Sequence, residues 1–362
     1  MTNLGLYIHT PFCKQKCNYC DFYSFAANKG DLDSYTVRVT DYLKKWGVRL
    51  ARPIDSLYLG GGTPTLLGGE NIRKIITAAE CAFSFANPEI TLECNPADDL
   101  KETLTTAKKA GVNRLSVGVQ SGNADELLML GRRHTTENAK KTVALARECG
   151  IDNISLDLMI GLPDGNIDKL SRSIDFVCSL YPTHISVYIL KIEEGTPFYK
   201  NGVIVPCDEE IEKQYLFTVE TLESKGFSQY EISNFAKVGF ESRHNKKYWN
   251  CEEYLGIGPA AHSFINGNRF YYPRDYRKFM DGCEIVPDGK GGDSDEYIML
   301  RLRLSDGIIF EEYEKRYGTF PSDKIKKAET LAKHGLIKID NKGLSLTKKG
   351  FLLSNSVIGE FI

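Results

Sequence analysis

The sequence predicts an α/β protein: six β-strand–α-helix units forming a barrel, followed by a smaller C-terminal winged-helix-like domain. Three observations predict it. Short β-rich runs recur at intervals of roughly 25–50 residues through the first two thirds of the chain. Amphipathic stretches with helical spacing lie between them. Beyond about residue 200 that rhythm stops, and the chain ends in helices followed by a hairpin pattern.

The 362 residues allow one large barrel with an appendage. Lys+Arg 46 against Asp+Glu 48 leaves a net charge of −2 with no charge block, which gives a nucleic-acid partner no support. Hydrophobic residues at 42% and charged residues at 26% supply a packed core and exclude disordered, collagenous and coiled-coil chains. The apolar runs fall far short of a membrane span. The amino terminus enters a strand-like segment with neither a basic region nor a cleavage site. A cytoplasmic protein, neither transmembrane nor exported, is expected.

The strand-like runs are residues 5–9, 56–59, 89–93, 114–119, 153–158 and 184–190. Helical patterns fall at 71–86, 100–110 and 136–148, with Gly111 and Gly150 placed as C-terminal stops. Right-handed crossovers curl such a sheet into a barrel, open or closed. Parallel α/β folds place their chemistry beyond the carboxyl ends of the strands. Cys13, Cys17 and Cys20 follow the first run, and Gly60, Gly61, Gly62 and Thr63 the second. Glu93 closes the third, Gln120 the fourth, and Asp157 lies at the end of the fifth. Downstream, 208–225 patterns as a helix, and a Gly-, Asn- and Tyr-rich region runs to Pro273. A break is expected at 287–292, helices at 296–304 and 324–333, and a hairpin over 336–346 turning at Asn341, Lys342 and Gly343. The expected divisions are a core at 1–200, an extension at 201–292 and the tail domain at 293–362.

Ten cysteines in a reducing compartment point to metal, catalysis or core. Cys81, Cys94, Cys149, Cys178, Cys207, Cys251 and Cys283 are scattered and are expected to be buried small hydrophobes. Cys13, Cys17 and Cys20 form CxxxCxxC. Three thiolates on one loop suit a cubane iron–sulfur cluster whose fourth iron stays open to a small molecule. Lys14 and Lys16 favour the thiolate form. A zinc site would need a fourth ligand, for which His9 or Asp21 is available.

Tyr7-Ile-His-Thr-Pro-Phe-Cys13 running into this motif, with Tyr19 immediately before the third cysteine, resembles the radical S-adenosylmethionine (SAM) superfamily. The later motifs resemble its group of oxygen-independent coproporphyrinogen III oxidases and heme chaperones, and the similarity runs over essentially the whole chain. The resemblance implies a partial (β/α)6 barrel. It implies a [4Fe–4S] cluster on Cys13, Cys17 and Cys20, with the SAM methionyl group chelating the open iron. An electron from the cluster then cleaves the sulfonium, so a reductant such as a flavodoxin or ferredoxin is implied. Gly61, Gly62 and Thr63 become a SAM-binding loop, glycines allowing close backbone approach and N–H groups suited to the SAM carboxylate; alone, they read equally as a tight turn. Glu93 is suited to a sugar hydroxyl or the SAM ammonium, or to a capping role. Tyr7 and Tyr19 offer aromatic faces near the cluster, or core packing. Gln120, Arg132 and Asp157 match positions that contact a second SAM in the oxidase branch; a salt bridge between Arg132 and Asp157 is the plainer reading.

Two features favour the heme-chaperone branch. The oxidases carry a further cysteine two residues past the third, where this chain has Phe22. His244-Asn-Lys-Lys-Tyr-Trp249 matches the HNxxYW signature of the chaperones. There His244 is the candidate axial ligand for heme iron, with Tyr248 and Trp249 packing on the macrocycle. The alternatives are a hydrogen-bonded loop histidine at 244 and ligation by His262. Ala260 occupies a position where glycine is expected. The implied function is a chaperone that binds cluster, SAM and heme and passes heme to a recipient hemoprotein. The alternative is oxidative decarboxylation of coproporphyrinogen III.

Overall fold

The computed structural model describes residues 3–26, 28–97 and 99–362. Six strands, β1 (Leu4–Thr10), β2 (Ile54–Gly61), β3 (Phe85–Cys94), β4 (Arg114–Gln120), β5 (Asn153–Ile160) and β6 (His184–Ile189), lie in chain order and pair in parallel. Between them run α1 (Lys29–Leu50), α2 (Gly69–Ala82), α3 (Lys101–Lys109), α4 (Ala124–Met129), α5 (Thr136–Glu148) and α6 (Ile167–Ser179). All seven residues of β4 are buried, with the polar side chains of Arg114, Ser116 and Gln120 set among apolar ones.

Three short helices or turns of helix and one long one follow: α7 (Pro197–Lys200), α8 (Asp208–Ser224), α9 (Arg243–Trp249) and α10 (Tyr276–Asp281). Strands β7 (Ser228–Gln229) and β8 (Asn234–Ala236) extend the sheet past β6. On the other flank β9 (Tyr254–Ile257) pairs in parallel with β1 and is followed by antiparallel β10 (His262–Ile265), β11 (Asn268–Tyr271) and β12 (Val286–Lys290). Among the described residues, twelve strands make one sheet, and β1 does not pair with β6. The barrel is therefore open.

Helix α9 closes its amino-terminal end. Arg243 Nη1 donates to Asn87 O at 2.9 Å, and the His244 backbone N–H donates to Glu89 Oε1 at 3.2 Å. The tail comprises α11 (Ser294–Arg301), β13 (Ile308–Ile309), α12 (Phe310–Tyr317), α13 (Ser322–Lys333), the hairpin β14 (Ile337–Ile339) and β15 (Gly343–Leu346), and the short helices α14 (Lys348–Leu352) and α15 (Ser354–Gly359). Strand β13 pairs with β15, completing a three-stranded wing. The Asp340 carboxylate accepts from the Lys342 and Gly343 N–H groups at 2.8 and 3.1 Å and fixes the turn.

Three expectations are corrected and one helix is added. Segment 287–292 is no break: Val286–Lys290 is the edge strand β12, where Pro287 costs no interior ladder bond. The helix expected over 71–86 ends at Ala82, because Phe83 turns extended and Phe85 opens β3. Helix α1 had no counterpart in the sequence reading; its Gly47 lets it lie against α2, where an added Cβ would come within 2.5 Å of Ala82 O. Of the scattered cysteines only Cys94 and Cys251 are buried. Cys149, Cys178 and Cys283 are half-buried; Cys81, on α2, and Cys207, at the α8 N-cap, are exposed.

Candidate functional site

The loop after β1 carries the three cysteines and is pinned at both ends and in the middle. Cys13 N–H donates to Phe25 O at 3.0 Å, and Phe25 N–H to Pro11 O at 2.9 Å. Buried Phe12 packs edge-on against Phe25, Tyr35 and Tyr276. Asn18, between the second and third cysteines, donates from its backbone to Leu130 O at 3.0 Å and from Nδ2 to Met129 O at 2.8 Å. Its own carbonyl accepts from Phe198 N–H at 3.0 Å. The loop is thus tied to the turn after α4 and to α7.

The three thiols line one cavity of about 380 Å³ at the carboxyl ends of the strands. Arg132 Nη1 donates to Cys17 Sγ at 3.4 Å, and Cys13 Sγ lies 3.5 Å from Thr63 Oγ1. Burial, with Cys17 and Cys13 beside it, pushes the Cys20 thiol up to about 11. Among the described residues no three His, Cys, Asp or Glu side chains close on a single metal ion. Thiols spread around one cavity fit a cluster in which each takes a different iron, and do not fit mononuclear zinc. His9 is also unsuited to zinc. Its Nε2 donates to Tyr23 O at 3.0 Å, so Nδ1 accepts from Tyr7 OH at 2.9 Å, and burial lowers its pKa.

Tyr19, Gly61, Gly62, Glu93, Gln120, Arg132 and Asp157 line the same cavity. Glu93 accepts from Tyr58 OH at 2.8 Å and from Gly61 N–H at 2.9 Å, and burial raises its pKa to about 7. Burial raises Asp157 to about 6. Arg132 also donates to Asn95 Oδ1 and Gly118 O, both at 2.6 Å. No ion pair joins it to Asp157 among the described residues; the salt-bridge reading gives way because the guanidinium turns toward Cys17. Gln120 ends β4 with φ +71°, a left-handed conformation at the cavity wall.

The glycine loop is corrected as well. Gly61 N–H is held by Glu93, Gly62 N–H donates to Thr10 O at 2.7 Å, and Thr63 N–H to Phe12 O at 2.7 Å. These donors are engaged within the protein and do not form a cradle for a carboxylate. The glycines are required by neighbouring chain: a Cβ on Gly61 would fall 2.5 Å from His9 Nδ1, and one on Gly62 would fall 2.5 Å from Phe12 O. Thr63 instead offers its hydroxyl, which accepts from Asn95 Nδ2 at 2.8 Å beside Cys13.

A second cavity, of about 510 Å³, adjoins the first and shares Asp21, Phe22, Gly61 and Glu93 with it. Tyr7, Tyr248, Trp249 and Tyr254 give it an aromatic wall, and His262 and Arg274 stand on its rim. His244 lies on neither wall. It is 1% exposed, with Nδ1 2.9 Å from Ser56 Oγ and Nε2 2.8 Å from Tyr248 OH. Burial, with Lys247 nearby, lowers its pKa to about 3. The expectation that His244 faces a ligand is therefore corrected: α9 turns this side chain into the barrel floor, while Tyr248 and Trp249 of the same motif reach the cavity. Sequence reasoning also passed over Asn18, Asn95, Tyr254 and Arg274. The first two lie inside motifs that were read for other residues; the last two carry no spacing signal.

Residues 7–177 match the radical SAM superfamily, and residues 295–353 match the HemN C-terminal domain. The heme chaperone HemW of Bacillus subtilis is 35% identical, the alignment covering 98% of this chain and 98% of that protein. The chain belongs to the HemW family of radical SAM proteins. The Escherichia coli heme chaperone HemW is 33% identical over 99% of this chain and 98% of its own. The bovine mitochondrial radical S-adenosyl methionine domain-containing protein 1 is 31% identical over 98% of this chain and 86% of that one. Coproporphyrinogen III oxidase (HemN) from Escherichia coli shares the fold, with a TM-score of 0.86 over 99% of this chain and 90% of that chain at 23% identity. Membership of the superfamily implies a [4Fe–4S] cluster and SAM. Among the described residues no helix is long and apolar enough to cross a membrane.

Proposed function

We propose that this chain is a cytoplasmic heme chaperone that holds a [4Fe–4S] cluster on Cys13, Cys17 and Cys20, SAM in the first cavity and heme in the second. The observation that carries this reading is the pair of adjoining cavities, one ringed by thiols and the other by aromatic and basic side chains. When bound and reduced, by a flavodoxin or ferredoxin, the cluster supplies the electron that cleaves SAM. The protein's own contribution is electrostatic and positional. Arg132 holds the Cys17 sulfur in place by hydrogen bonding, Glu93 offers a carboxylate to the cationic nucleotide, and Tyr7, Tyr248 and Trp249 present apolar faces to a macrocycle. The heme then passes to a recipient hemoprotein. Full-length protein reconstituted anoxically with iron and sulfide is titrated with hemin and, separately, incubated with SAM, dithionite and coproporphyrinogen III. Stoichiometric hemin uptake without decarboxylation is expected. Robust formation of protoporphyrinogen would replace this reading with the oxidase.

A further inference from the structure

We infer that the cargo iron is ligated by His262 through Nε2, while His244 acts at one remove by positioning Tyr248 on the cavity wall. This inference rests on the heme-chaperone reading. His262 begins β10 at the rim of the aromatic cavity, and its side chain is 58% exposed. Its ring stacks on Tyr271 at 5.1 Å between centroids. Asp288, on the edge strand β12 beyond β11, places Oδ2 3.7 Å from His262 Nδ1. That carboxylate stands on the Nδ1 side of the ring, the side from which a carboxylate supports many metal-binding histidines, and leaves Nε2 as the open nitrogen. His262 Nε2 takes no hydrogen bond among the described residues.

His244 has the opposite character. Both of its ring nitrogens are engaged, and the ring lies beneath Tyr58 at 5.3 Å between centroids. Freeing it would break two buried hydrogen bonds and lift α9 from the barrel floor. What it does reach is Tyr248, whose hydroxyl it holds and whose ring packs edge-on to Tyr254 at 4.5 Å. The remaining wall suits a planar macrocycle with carboxylate arms. Trp249 Nε1 is buried without a hydrogen-bond partner among the described residues, leaving a donor available. Arg274 donates to the Asp21 backbone carbonyl and stands over the Tyr23 ring, with no carboxylate partner among the described ion pairs. Arg269 is not available in this way, because Glu296 holds its Nε at 2.7 Å. The chemistry selected is that of an iron porphyrin bearing propionates.

Hemin titration of wild type, His262→Ala and His244→Ala, followed by Soret absorption and resonance Raman, tests this. His262→Ala is expected to lose the histidine-ligated signature and to bind about tenfold or more weakly. Added imidazole is expected to restore that signature. His244→Ala is expected to keep the wild-type signature with weakened affinity. His262 is exposed, so its replacement leaves the fold intact, checked by thermal melting, and it decides the matter even if His244→Ala unfolds. A wild-type spectrum in His262→Ala overturns the inference and leaves the chaperone reading standing. Failure of the wild-type protein to take up hemin overturns both.

Discussion

Glu93 stands in the wall of both cavities, and its burial has a functional sign. Its folded pKa, about 7, lies above the ordinary value, so the carboxyl is mostly neutral at pH 6 and mostly ionised at pH 8. Any stability it contributes to the unliganded protein is present at low pH and lost as pH rises through about 7. A cationic nucleotide reverses that penalty by supplying a counter-charge. SAM affinity measured by calorimetry should therefore rise about tenfold from pH 6 to pH 8, and Glu93→Gln should flatten the profile. Ala260 presents a different case. It has φ +67°, which explains why glycine was expected there. Ala260→Gly should stabilise the protein by about 1 kcal/mol in a denaturant titration without loss of hemin binding. The departure was legible in the sequence; its cost was not, because only the backbone angle reveals it.

At the scale of the element, the cysteine loop and the glycine loop are one construction. The backbone bonds from Gly62 to Thr10 and from Thr63 to Phe12 tie the end of β2 to the start of the thiol loop. Gly62→Ala drives a Cβ into two backbone carbonyls, Phe12 O at 2.5 Å and Thr10 O at 2.8 Å, neither of which can rotate away. It should destabilise by about 2 kcal/mol and lower iron content after reconstitution, read by denaturation and iron assay. CxxxCxxC was legible because cluster chemistry demands thiols at close spacing. Strands β1 to β6 were legible because buried parallel strands are short β-rich runs that recur between helical patterns. What the glycines touch was not legible, since it depends on the register of β1 against β2. Spacing within HNxxYW likewise does not reveal which side of α9 faces inward, so the signature drew attention to α9 without showing that His244 is buried. Strands β9 to β11 are four residues each, too short for period-two alternation to stand out.

At the scale of the whole molecule, the C-terminal domain is part of the second cavity. Leu300 of α11 lines it, Arg303 lies 4.5 Å over the Trp249 ring, and Glu296 holds Arg269. Deleting residues 293–362 therefore opens the second cavity. The truncated chain should retain the iron and sulfide of a cluster on Cys13, Cys17 and Cys20 while hemin affinity falls at least about tenfold. Intact hemin uptake in that truncation would assign the tail to recipient docking alone. That a C-terminal domain follows the barrel was readable in the sequence, but its contact with Trp249 joins residues far apart in the chain and leaves no local trace.

The strip formed by Asp21, Phe22, Gly61 and Glu93 belongs to two chambers at once. If the two chambers hold nucleotide and cargo as proposed, thermodynamic reciprocity binds them: whatever factor the nucleotide imposes on cargo retention, the cargo must return upon the nucleotide. Discharge to a recipient would then be felt across the partition as a change in grip on the sulfonium, so each delivery would reset the occupancy of the neighbouring chamber.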